Sequence, residues 1–179
     1  MNEKLLDPEA LSERCRALQQ QGRRIVLTNG CFDLLHVGHI RYLKQARELG
    51  DALVVALNDD ASVRALKGRT RPIVPAAQRG EVLAALACVD YVTIFEDETA
   101  AEAVRTIRPQ IYVKGGDYVA CRLAVPEAET VAEYGGTVFF LDLHPDASTT
   151  GIIETILRRE REGLLSPLAT AAATEAWQP

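Results

Sequence analysis

A chain of 179 residues, 47% of them apolar, can bury one sizeable core and offers no obvious boundary for a second domain. A formal net charge of −5 excludes a nucleic-acid-coating surface, so any cations at a phosphate site must be local and no nucleic-acid partner is expected. The four cysteines, Cys15, Cys31, Cys88 and Cys121, contain no Cys-x-x-Cys pair, and no N-terminal apolar segment reaches signal or membrane length. The expectation is a reduced, cytoplasmic protein with no membrane partner.

Asp7-Pro8-Glu9 predicts a helix start, with Asp7 as N-cap, Pro8 at the first helical position and Leu11, Cys15 and Leu18 on one face. Gly22 should end it, and residues 1–23 are expected to pack as a helix on the core. The short β-branched run Ile25 to Leu27 reads as a buried strand. From Ile40 to Leu49 the residues Ile40, Leu43, Ala46, Arg47 and Leu49 recur at helical spacing. Between them lies Thr28-Asn29-Gly30-Cys31-Phe32-Asp33-Leu34-Leu35-His36-Val37-Gly38-His39, a strand-to-helix turn. Gly30 lets backbone approach a ligand, and Gly38 relaxes the entry to a helix whose unpaired N–H groups and positive end favour an anion. His36 and His39 stand one turn apart on one face, able to donate hydrogen bonds to one phosphate as its charge grows in a transition state. The competing readings are a pair of surface histidines or half of a metal site.

The second strand, Ala52 to Leu57, is apolar throughout, as strands covered on both faces are. Asn58-Asp59-Asp60-Ala61-Ser62 follows at its carboxyl end, where Asn58 and Asp60 can meet a ligand or Asp60 can cap a helix. Lys67-Gly68-Arg69-Thr70-Arg71-Pro72 is a basic loop in an acidic protein, either solvated or countercharge for a triphosphate. Pro75 precedes a helix from Ala76 to about Ala87, with Val82, Leu83 and Leu86 toward the core. Arg79 in its first turns opposes the helix dipole, so it answers to a nearby anion or is a plain surface residue. Tyr91 to Phe95 is the third strand. Thr99-Ala100-Ala101-Glu102 reads as a capping box before a helix with Ala103, Val104 and Ile107 inward, closed by Pro109. Ile111 to Val113 is the fourth strand, and the two glycines of Lys114-Gly115-Gly116-Asp117-Tyr118 at its end permit close backbone approach. Pro126 opens a helix that Gly135-Gly136 ends, and Thr137 to Leu141 is the fifth strand. Asp146-Ala147-Ser148-Thr149-Thr150 opens the last helix, Ile152 to about Glu162. There Ser148 is an ordinary N-cap or one of three hydroxyls that donate to phosphate. Residues 163–179 show no clear periodicity.

Five alternations of strand and helix predict an α/β fold, a five-stranded parallel sheet with right-handed crossovers and helices on both faces. The polar stretches all follow strands, so they must converge on one edge of that sheet.

Taken in order, Thr28-Asn29-Gly30-Cys31-Phe32-Asp33 with His36-Val37-Gly38-His39, Asn58-x-Asp60-Ala61-Ser62, Lys67-Gly68-x-x-Arg71-Pro72, Gln78-Arg79, Val113 to Tyr118 and Ser148-Thr149-Thr150 resemble the cytidylyltransferase-like nucleotidyltransferase superfamily. Within it they are most similar to the D-glycero-D-manno-heptose 1-phosphate adenylyltransferase (ADP-heptose synthase) domain, over about Arg24 to Arg159. The resemblance implies a Rossmann-like domain over residues 24–162 that moves AMP from ATP to a small-molecule sugar phosphate, with Mg²⁺ as cofactor. It also implies a homodimer, and a separate heptose-phosphate kinase in the same pathway because no kinase portion is present. By this resemblance His36 and His39 stabilise the transferring phosphate, Lys67 neutralises the triphosphate, and Arg79 supports the leaving pyrophosphate or the sugar phosphate. Asn29, Gly30, Cys31, Phe32, Lys114, Gly115, Gly116 and Asp117 border the nucleotide, and Ser148 with Thr149 holds phosphate. Asp33, Asn58, Asp60 and Arg71 face the acceptor, and no residue is assigned to a metal. Two departures stand out: Cys31 where many relatives have Thr, and no Arg before Ser148, unlike glycerol-3-phosphate cytidylyltransferase. The alternatives are a sister transferase, using CTP with glycerol 3-phosphate or ATP with another phosphate acceptor, and a non-catalytic nucleotide-binding module.

Overall fold

The structure, a computed structural model, describes residues 3–97, 99–115, 125–142 and 147–165. Five parallel strands, β1 (Ile25–Gly30), β2 (Ala52–Asn58), β3 (Tyr91–Phe95), β4 (Ile111–Gly115) and β5 (Thr137–Leu141), lie in the order β3-β2-β1-β4-β5. The chain therefore runs outward from β1 in one direction, then returns and runs outward in the other. The crevice between β1 and β4 is the topological switch point, where open α/β sheets bind ligands at the carboxyl ends of their strands. The expected sheet and helix order are both present.

Alternation along the central strands divides the core. Ile25, Leu27, Val54 and Ala56 face α1 (Pro8–Gln20), α5 (Ala101–Ile107) and α6 (Pro126–Glu133), meeting Leu11, Val104 and Val131. Val26, Leu53, Val55 and Leu57 face α2 (Val37–Glu48) and α4 (Ala76–Ala84), meeting Tyr42, Leu43 and Leu83. Every residue of β2 is buried. Each such Leu or Val removed from water contributes about 1.5–3 kcal/mol, which makes this doubly covered sheet a stiff platform for its edge. The N-terminal segment adds to that platform: Leu5 bridges to Val92 on β3, and Asp7 caps α1 by accepting from the Ala10 amide at 2.8 Å. Among the described residues no helix is long and apolar enough to cross a membrane.

Several boundaries differ from the sequence expectation, each for a tertiary reason. Strand β1 continues through Thr28, Asn29 and Gly30 in register with β2, with the Thr28 hydroxyl meeting Tyr42 Oη at 2.7 Å. Helix α2 begins at Val37 and not Ile40, with His36 at the N-cap position. A helix, α3 (Asp60–Lys67), does start at the polar stretch 58–62, with Asp59 and not Asp60 as its N-cap, and it takes in Lys67, which reads as loop, in its last turn. Helix α4 ends at Ala84, and Val82 points to solvent, one residue out of phase with buried Leu83. The capping box at Thr99 does not form: Ala100 is the N-cap of α5, and its amide donates instead to Glu127 Oε1 at 3.0 Å.

Candidate functional site

Helix α2 starts directly above the carboxyl end of β1. Its N-cap residue, His36, makes no capping hydrogen bond, whereas Asp7, Asp59 and Ser148 cap α1, α3 and α7 (Thr149–Arg161) with their side chains. The N-terminal amides of α2 thus retain their capacity to bind an anion. The His36 and His39 rings stack with centroids 3.8 Å apart and planes 23° apart, and Phe32 leans on His39 at 5.3 Å. A Cβ on Gly38 would lie 2.9 Å from His36 Nδ1, so glycine is what lets the ring fold back over the helix start. Burial, with His36 beside it, lowers the pKa of His39 to about 4, and burial lowers His36 as well. Both imidazoles are therefore neutral at pH 7, each with one N–H to donate. Their Nδ1 atoms are buried and make no hydrogen bond among the described residues. Unpaired buried polar atoms cost stability and mark places where fold and function compete.

Three cations approach the turn that precedes these histidines. Burial raises the pKa of the half-buried Cys31 thiol, and the positive charges of Lys67, Arg79 and Arg71 oppose that rise. They differ in how they are held. Lys67 is exposed at the end of α3. Arg71 Nε donates to Asp33 Oδ2, a side chain wholly shielded from solvent. The amides of Ile73 and Val74 also donate to Asp33 at 2.9 Å. Burial pushes the Asp33 carboxyl up, but those two amides and Arg71 more than offset it and leave its pKa lowered. Arg79 is fully buried: its guanidinium donates to the carbonyls of Val74 and Cys31 and to Asp60 Oδ1.

Several of these residues also have partners within the protein. The sequence gives Arg79 to an anionic ligand, yet the anion it meets is Asp60, which also caps α4 by accepting from the Ala76 amide at 2.9 Å. Asp33 and Asn58 are assigned to substrate, but Asp33 is consumed in anchoring residues 71–74, and buried Asn58 donates to Ser62 Oγ. Thr149 Oγ1 donates to the Leu34 carbonyl at 3.1 Å and so fixes α7 against the turn. Ser148 Oγ accepts from the Gly151 amide, which leaves its own hydroxyl proton to donate. A cavity of about 370 Å³ opens between the turn, α4 and α7, lined by Phe32, Leu34, Val74 and Ile152.

On the opposite face of β1, Asn29 Oδ1 accepts from Tyr112 Oη and Lys114 Nζ, both at 2.7 Å. Lys114 Nζ also lies 3.4 Å from Glu127 Oε2. Lys114 thus serves a buried network. Gly115 ends β4 at the same sheet edge, while Gly116 and Asp117 lie outside the described residues. Tyr112 and Glu127 go unnoticed in the sequence, since a Tyr inside Ile-Tyr-Val reads as core and a Glu after a helix-opening Pro reads as solvated. No three of His, Cys, Asp and Glu gather into a metal cage among the described residues.

Comparison with known proteins agrees with this geometry. The family model described as cytidylyltransferase-like matches residues 27–154. The chain is 49% identical over 155 residues to "Bifunctional protein HldE" of Syntrophotalea carbinolica, covering 87% of this chain and 31% of that protein. It is 50% identical over 153 residues to the protein of the same name from Geotalea uraniireducens, covering 86% and 31%. The chain therefore spans about a third of the length of the curated relatives it matches. A solved structure, the lipopolysaccharide core biosynthesis protein from Thermoplasma volcanium GSS1, superposes with a TM-score of 0.57 at 30% identity, covering 69% of this chain and 98% of that one.

Proposed function

The chain belongs to the cytidylyltransferase-like family and is a nucleotidyltransferase, and from that premise we propose that it moves AMP from ATP to D-glycero-D-manno-heptose 1-phosphate, giving ADP-heptose and pyrophosphate. The observation that carries this reading is the stacked, neutral His36–His39 pair at the uncapped start of α2, on the switch-point edge of a parallel sheet. The likeness to proteins named HldE and to a lipopolysaccharide core biosynthesis protein supports the heptose acceptor.

The chemistry suits this inventory. An oxygen of the acceptor phosphate forms the new bond to the α-phosphorus while the bond to the pyrophosphate oxygen breaks and its electron pair departs with pyrophosphate. An ionised phosphate is already a nucleophile, so the protein supplies alignment and countercharge and needs no nucleophile of its own. The His36 and His39 N–H groups and the α2 amides donate to the α-phosphate oxygens as charge accumulates there. Lys67, free at the end of α3, neutralises the β- and γ-phosphates, and Ser148 donates from the α7 start. Arg79, Asp60 and Asp33 hold the turn and the 71–74 segment in register, and Arg71 is fixed to Asp33 through its Nε. Mg²⁺ fits this scheme as part of the nucleotide, because it favours phosphate oxygens and water over a protein cage. The reading includes a cytoplasmic homodimer that works in the same pathway as a heptose-phosphate kinase activity.

Pyrophosphate release across ATP, CTP and GTP, each paired with heptose 1-phosphate, glycerol 3-phosphate and pantetheine phosphate, tests the assignment. Release confined to ATP with heptose 1-phosphate is the expected result. Comparable release with CTP, or release with glycerol 3-phosphate and none with a heptose 1-phosphate, rejects the substrate pair and leaves the family intact.

A further inference from the structure

Asn29 occupies the last turn-ward position of β1 that faces α6, directly before Gly30. An asparagine amide has two chemically opposite ends, and which end meets a ligand decides what that ligand must offer. Here the neighbours settle it. Lys114 approaches one end at 2.7 Å, and an ammonium can only donate, so the atom it meets is the carbonyl oxygen. Tyr112 Oη donates to the same oxygen at 2.7 Å, which fills both of its acceptor positions. Lys114 is itself held in place by Tyr112 Oη at 3.0 Å and by the carboxylate of Glu127, a side chain 2% exposed. Glu127 is anchored in turn by the Ala100 amide at the start of α5. The amide NH₂ of Asn29 makes no hydrogen bond among the described residues, and the side chain is half-buried at the β1/β4 switch point.

We propose that Tyr112, Lys114 and Glu127 are positioning residues that lock the Asn29 side chain with its NH₂ toward the switch-point crevice, where it recognises a hydrogen-bond acceptor atom of a bound substrate. This deepens the nucleotidyl-transfer reading and rests on it. Lys114 acts through Asn29 and not as countercharge, and Glu127 keeps that lysine protonated and in place against the burial that lowers its pKa. A locked donor discriminates well, because a ligand lacking the acceptor leaves a desolvated NH₂ without a partner. The acceptor atom belongs either to the nucleotide or to the sugar phosphate. Both chemistries are alike from the side of Asn29.

The test uses the full chain with Asn29→Asp, Lys114→Met, Glu127→Gln and the Asn29→Asp/Lys114→Met double variant. Asn29→Asp retains an oxygen for Tyr112 and Lys114 and replaces the donor by a second, negatively charged acceptor, so its unfolding midpoint is read alongside the KM values to separate a lost donor from a disturbed network. The expected result is a KM raised about tenfold or more for one substrate, with the other KM unchanged. A rise for ATP assigns the acceptor atom to the nucleotide, and a rise for the heptose 1-phosphate assigns it to the sugar. Lys114→Met should raise the same KM by a smaller factor. The double variant should be no worse than Asn29→Asp alone, since the lysine has nothing left to orient. Glu127→Gln, which can still accept from Ala100, should follow Lys114→Met in kind. Equilibrium binding of ATP in the absence of any acceptor separates failure of this inference from failure of the heptose assignment. Unchanged KM values and unchanged ATP binding in Asn29→Asp overturn the proposal. So do Lys114→Met effects that add fully to those of Asn29→Asp, which would make the lysine an independent ligand.

Discussion

The two faces of β1 handle polar side chains in opposite ways within a few residues of each other. Toward α2, His36 and His39 are stacked, held neutral by burial, and left with buried nitrogens that bond to nothing in the described protein. Toward α6, Tyr112, Lys114 and Glu127 pair with one another and with the Asn29 carbonyl oxygen, and among the described residues only the Asn29 NH₂ of that group is left to donate. The Arg79 cluster resembles the second pattern, since its guanidinium reaches two carbonyls and a carboxylate. The difference teaches which charged groups act and which only hold. Saturated groups cannot gain a bond when substrate charge develops, whereas unsaturated ones placed by a stiff sheet can. Catalysis should therefore track the histidines, and stability should track the saturated clusters.

Breaking a saturated cluster gives the largest effect. Arg79→Met leaves Asp60 and two carbonyls without their buried partner, and the expected loss is about 3–5 kcal/mol of unfolding free energy, read from denaturant midpoints. A loss below about 1 kcal/mol would show that Arg79 is not the brace described here.

The acid limb of stability sharpens the other side of the comparison. His39 titrates near 4 in the fold against an ordinary value of 6.5, so the unfolded chain binds more protons between those values. The stabilisation is fully present above 6.5 and is lost as pH falls toward 4. His39→Asn should flatten the decline of unfolding free energy across that window, and an unaltered slope would contradict the buried, neutral state. The smallest effect belongs to exposed Lys67. Lys67→Ala should raise the KM for ATP about fivefold, the worth of ~1 kcal/mol of screened charge, with the melting temperature unchanged and the difference shrinking in high salt.

Much of the architecture was legible because periodicity and caps carry it: the five strand-helix alternations, the Asp7 cap with Pro8, and the Ser148 cap all stand where the sequence puts them. What escaped depended on partners far along the chain. β1 extends through Gly30 in register with β2, with the Thr28 hydroxyl meeting Tyr42 Oη, and at the start of α5 Glu127, from another helix, accepts the Ala100 amide. Val82 reads as core yet stands 100° around the helix from buried Leu83, enough to exchange core for solvent. At the site, residue types pointed to the right edge of the sheet but not to the division of labour there. Arg79 and Asp33 look in sequence like ligands for anion and substrate, and only the distances reveal that they are spent on each other's loops.

The central claim is that the unpaired histidines act on charge that appears during transfer, not on ground-state binding. Measuring the ATP dissociation constant and the single-turnover rate of ADP-heptose formation side by side, for the wild type and His39→Ala, tests it most directly. The account predicts an affinity within a few fold of wild type and a rate lower by about 100- to 1000-fold. Equal losses in affinity and rate, or a rate close to that of wild type, would contradict it.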